Sequence, residues 1–182
     1  MTAPTRVSTV LPALRGRGVL LAAPADGAHI RASLAASGFA IAETDLGDLA
    51  GQQNHSENAQ PADKTATKMG ETMRGAQAAI ATALRLPETA GRNLDALVDS
   101  LRDLALWWPE SDKIVLVLHE AQALVDADLP GWHTLTEILR EASTDLWRDG
   151  GAGDRAFETV ALVDGHGVLA LQEGSADGEA GA

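Results

Sequence analysis

The sequence predicts a small layered α/β fold, with three or four mainly parallel strands packed by helices, and three observations carry that reading. Short apolar runs recur at residues 18 to 23, 39 to 42, 113 to 119 and 157 to 163. Helical patterns of ten or more residues stand between them, which is the spacing of crossover connections in parallel sheets. The 182 residues are 45% hydrophobic with two Phe, four Trp and no Tyr, enough for one domain with an aliphatic core.

The first strand is expected from Gly18 to Ala23, followed by a helix over residues 27 to 37 in which Ile30, Leu34 and Ala35 recur at helical spacing. Gly38 closes that helix, and Phe39 to Ala42 form a short buried strand that ends in the turn from Asp45 to Asp48. This strand, helix and strand make an N-terminal unit, residues 1–48, that leads into the core. Residues 49–66 are polar and read as a flexible loop.

A core of helices and strands over residues 67–172 follows. Met69, Met73, Ala76, Ile80, Ala83 and Leu84 keep helical spacing until Pro87 stops it, because a residue before proline is pushed out of the helical region. Asn93 is a good N-cap for one helix through Ala105, with Leu94, Leu97, Val98, Leu101 and Leu104 on one face. Lys113 to His119 is a β-branched strand, Asp126 to Pro130 an acidic loop, Trp132 to Leu146 an amphipathic helix, and Phe157 to Val163 the last strand. The tail, residues 173–182, is small and acidic and reads as disordered.

Twenty-six acidic side chains against fourteen basic ones give a net charge of -12. Such a chain repels phosphate backbones and anionic headgroups and favours a cationic protein, so neither nucleic acid nor membrane is an expected partner. Without cysteine it has no disulfide, no thiol nucleophile and no thiolate metal site, which agrees with a cytoplasmic protein that is monomeric when free.

Chemistry is otherwise sparse. The five histidines show no HxxxH spacing, and the loosest metal proposal, His119, Asp126, Asp128 and His133, reads better as solvated residues around a loop. No nucleophile elbow, P-loop or dinucleotide fingerprint occurs, so no metal, cofactor or catalytic residue is expected and the chain does not read as an enzyme.

One helix breaks a local rule. At about 100° per residue, Asp95, Asp99 and Asp103 fall opposite the apolar face as an i, i+4, i+8 ladder. Asp95 gains from the helix dipole, but the later two repel their neighbours by about a few tenths of a kcal/mol each. A solvated face of an acidic protein, with Arg102 relieving part of the repulsion, is the plain alternative. Yet residues 87 to 149 hold thirteen acids and five bases, half of all the acids, and a focused negative face of this kind steers a cationic partner.

The string Leu86, Pro87, Glu88, Thr89, Ala90, Gly91, Arg92, Asn93, Leu94, Asp95, Ala96, Leu97, Val98, Asp99 resembles the signature of the barstar family of ribonuclease inhibitors. In that pattern Leu-Pro and a polar residue precede two aromatics, then Gly, a polar residue, Asn, an apolar residue, Asp-Ala-Leu, an apolar or aromatic residue and Asp. Leu139, Arg140, Glu141 and Ala142 resemble the family's second acidic element. The likeness runs from about Phe39 to Val163, and the residues before it resemble the extension of longer members.

The resemblance implies a barstar-like fold and a chain that plugs the active-site cleft of a basic ribonuclease or related toxin, with carboxylates standing where RNA phosphates would bind. It implies a partner-binding set of Thr89, Gly91, Asn93, Asp95, Val98, Asp99 and Glu141. Thr89-Ala90 replaces the aromatic pair and Val98 a frequent Trp, which removes large apolar anchors. A non-inhibitory interaction or immunity module that binds another basic protein is the second reading.

Overall fold

The computed structural model describes residues 5–47, 61–147 and 154–165, with side chains described from residue 70 in the second of these segments. The tail from Glu173 and most of the polar loop lie outside the described residues. Strands β1 (Arg15–Arg17), β2 (Val19–Ala22), β3 (Ala40–Asp45), β4 (Lys113–His119) and β5 (Ala156–Leu162) form one sheet in the order β1-β2-β5-β4-β3. Only β1 with β2 is antiparallel; β2 with β5, β5 with β4 and β4 with β3 are parallel.

The central strands explain the topology. β4 buries Ile114 through Leu118 and β5 buries every residue, so both faces of each need a covering layer. Continuous apolar runs of this kind belong to parallel sheets with helices on both sides. One face carries Ala42, Ile114, Leu116, Leu118, Phe157 and Ala161, and is covered by α3 (Pro61–Ala83), α4 (Leu94–Arg102), α5 (Leu104–Trp107), α6 (Ala121–Ala127) and α7 (Leu129–Leu146). The other carries Val115, Val117, Val160 and Leu162 under α1 (Val7–Val10) and α2 (Gly27–Ala36), through Val7, Ile30 and Leu34.

Several elements differ from the sequence reading. The described residues hold five strands, not three or four, because Arg15-Gly16-Arg17 has no apolar pattern and becomes a strand only by pairing along β2. β3 runs on through Glu43 to Asp45, in register with β4 as far as His119. α3 begins at Pro61, inside the segment read as loop; proline suits a first helical turn, where its missing N–H has no partner to lose. α6 lies where no helix was expected. α7 starts at Leu129 rather than Trp132, since Asp128 accepts a hydrogen bond from the Gly131 N–H at 2.8 Å and caps it.

The helix expected from Asn93 to Ala105 is two helices. Asp103 has φ -90° and ψ 19°, ends α4 and opens α5. Leu101 and Leu104 are both fully buried on either side, so the apolar spacing continues across a break in the backbone. Asp103 therefore leaves the carboxylate ladder, and Asp95 and Asp99 alone share α4.

Candidate partner-binding face

The face is built from a one-turn 3-10 helix, Glu88–Gly91, followed by α4. The Leu86 backbone N–H donates to Ala81 at 2.9 Å and the chain turns through Pro87, so the 3-10 turn lies back along α3. A buried hydrogen bond holds the turn there, and Trp108 fixes the end of α3 that leads into it. Gln77 Nε2 donates to the Ala90 carbonyl at 2.7 Å. Trp108 Nε1 donates to the Leu84 carbonyl at 2.9 Å, and the Arg85 guanidinium lies over the Trp108 ring, 4.3 Å from its centre. Arg85 itself has φ 58°, a left-handed conformation that lets the chain leave α3 sharply.

Each residue expected at the interface has a definite place. Thr89 is exposed, and its carbonyl accepts from the N–H groups of Arg92 and Asn93, both at 3.1 Å. Gly91 is buried: a Cβ there would stand 3.2 Å from Ala78 Cα on α3, so the close approach of the turn to that helix favours glycine. Asn93 caps α4, its side-chain oxygen accepting from Asp95 N–H at 2.8 Å and Ala96 N–H at 3.4 Å, an arrangement worth about 1 kcal/mol. Asp95 is exposed in the first turn, Val98 is half-buried and Asp99 is exposed one turn further on.

Glu141 comes from a different element, α7, which packs beside α4, and its side chain is exposed. One turn later on α7, Asp145 meets Arg102 from α4 at 3.6 Å, and Arg102 also reaches Asp99 at 3.5 Å. Among the described residues Arg102 thus bridges exposed carboxylates of the two helices across their junction. Sequence reasoning paired Arg102 with Asp99 but had no means of seeing Asp145, forty-odd residues away and on another helix. It also passed over Gln77, although a polar residue beside Ala76 on the apolar face of α3 was a visible signal.

The rest of α7 is internally paired at this end: Arg140 donates to Glu137, and that hydrogen bond from the guanidinium holds the Glu137 carboxyl below the usual range. Arg140 also touches the N-terminal segment, for a Cβ on Gly18 would lie 2.9 Å from Arg140 Cα. Between α3 and the 3-10 turn an open cleft of about 250 Å³ is lined by Ala78, Ala81, Leu86, Pro87 and Gly91.

Among the described residues no three His, Cys, Asp or Glu side chains group to hold a metal ion. Of His119, Asp126, Asp128 and His133, Asp128 caps α7 and His119 lies 3.4 Å from Glu43. No helix among the described residues is long and apolar enough to cross a membrane.

A mainly parallel five-stranded sheet with helices on both faces defines a small α/β protein. The family model for Barstar (barnase inhibitor) matches residues 66–160, more than half of the chain, and the chain belongs to the barstar family. No curated protein and no solved structure matches it.

Proposed function

We propose that this chain inhibits a basic ribonuclease by seating the acidic face of α4 in its active-site cleft. The observation that carries the reading is the family match over residues 66–160 joined to two exposed carboxylates, Asp95 and Asp99, one turn apart on a rigidly capped helix. Asp95 and Asp99 pair with arginine, lysine or histidine groups that otherwise bind RNA phosphates, and Glu141 adds a flanking charge from α7. The net charge of -12 speeds encounter with a basic enzyme. The mechanism is steric occlusion, and no covalent chemistry is required of the chain.

A second reading, an immunity or interaction module for another basic protein, is favoured by one feature. Thr89 and Val98 are small where the family resemblance calls for aromatic contacts, so apolar anchoring is reduced while charge is kept.

The test is a ribonuclease assay with equimolar purified chain at low salt, using barnase first and then other small basic ribonucleases. Asp99→Ala is expected to raise the dissociation constant about ten-fold or more. Asp164→Ala removes the same charge beyond the C-terminal end of β5, while α7 ends beside the N-terminal end of that strand, and is expected to change binding little. Equal effects of the two substitutions reject the assigned face, and failure to slow any of these enzymes rejects inhibition.

A further inference from the structure

Arg102 is the last residue of α4, where the helix dipole already favours a cation. Its guanidinium stands between carboxylates from two helices, Nη1 at 3.5 Å from Asp99 Oδ1 and Nε at 3.6 Å from Asp145 Oδ2. Both contacts are longer than the usual range of about 2.7–3.2 Å for N–H···O hydrogen bonds. All three side chains are more than half exposed, at 57%, 77% and 54%. Exposed pairs of this kind are weak and are readily exchanged for other partners. Among the described residues Asp95 is in no salt bridge, so the one carboxylate of α4 that is already occupied is Asp99.

We infer that Arg102 is a built-in competitor for the partner's cation. In the free protein its guanidinium fills the position between Asp99 and Asp145, and a bound partner puts its own cation there after Arg102 swings into solvent. The inference rests on the reading of this face as the one that takes a cationic protein. Its consequence is selectivity. A ligand that offers one loosely held charge gains little over the arginine already present, whereas a partner that also reaches Asp95 displaces it. Asp145 thereby joins the binding set, although it contributes nothing until Arg102 has left. A planar guanidinium spans two carboxylates better than an ammonium does, so the competing group on the partner is an arginine.

The test uses the full chain and two probes. Hexa-arginine peptide is titrated at low salt into the wild type, Arg102→Gln, and Arg74→Gln, which removes the same charge from the exposed surface of α3. Arg102→Gln is expected to bind about two- to five-fold more tightly than Arg74→Gln, the range that exposed pairs are worth. That difference is expected to vanish in an Asp99→Asn, Asp145→Asn background. Equal gains from the two arginine substitutions reduce the effect to net charge and overturn the inference.

Barnase inhibition by the same proteins separates this inference from the ribonuclease reading. If the wild type inhibits and Arg102→Gln inhibits more tightly, both stand. If the wild type inhibits and Arg102→Gln is weaker, Arg102 is itself a contact and the competitor role is wrong. If the peptide shows the expected difference but barnase is not inhibited, the competitor role stands and the barnase reading falls. Matching thermal melts of the variants exclude misfolding as the cause of any change.

Discussion

Glu158 sits in the middle of β5 with its side chain 3% exposed, where a charge is costly unless it is compensated. Its carboxylate accepts from the Val7 N–H at 2.6 Å and lies 3.7 Å from the Arg6 guanidinium, which also stacks over Trp147. Burial nevertheless raises its pKa above the ordinary value of 4.5, against the opposing pull of the Val7 hydrogen bond and Arg6. The folded state therefore holds this proton more tightly than the unfolded chain does. The stability that the protonated group contributes is complete below 4.5 and is lost as pH rises through the raised value. Glu158→Gln is expected to remove this loss, so urea midpoints of the variant fall less than those of the wild type as pH rises from 4.5. Parallel curves would contradict it. Sequence marked β5 as a buried strand but gave no hint that Glu158 would point into the core, since its partners lie some 150 residues earlier in the chain.

At the scale of elements, the parts read most accurately were those whose signals are local. Asn93 caps α4, Pro87 lies outside α3, and β4 and β5 fall within a residue of their expected bounds, because capping, proline geometry and continuous apolar runs need no distant partner. The break at Asp103 was invisible for the converse reason: Leu101 and Leu104 keep contact with the same core, so their spacing reports burial and not backbone continuity. The hairpin of β1 and β2 was also half-hidden. Gly18 between them has φ +72° and faces the backbone of α7 at Arg140, next to Glu141. Gly18→Ala is expected to destabilise the fold by about 1–3 kcal/mol, through a strained φ and a clash with backbone that cannot give way easily. Chemical denaturation measures this, and an unchanged midpoint would show that the hairpin does not brace α7.

The N-terminal residues lie before the matched family region, yet they belong to the same sheet and core. β2 pairs along β5, β3 pairs along β4, and α1 and α2 cover Val115, Val117, Val160 and Leu162, all buried. A chain lacking residues 1–47 would expose that whole apolar face and leave Glu158 without Arg6 and Val7. It is expected to lose cooperative thermal unfolding and, with it, ribonuclease binding; a truncated chain that melts at the wild-type temperature would overturn this. By itself the sequence determined the α/β class, the capped acidic helix and the family signature, because periodicity, caps and motif spacing are written within a few residues of one another. Only the tertiary structure decided that β1 is a strand, that Gly91 packs against Ala78, and that Arg102 joins Asp99 to Asp145. Each of those depends on which segment lies alongside, a neighbouring strand for β1 and another helix for Gly91 and Arg102, and local periodicity does not record that pairing.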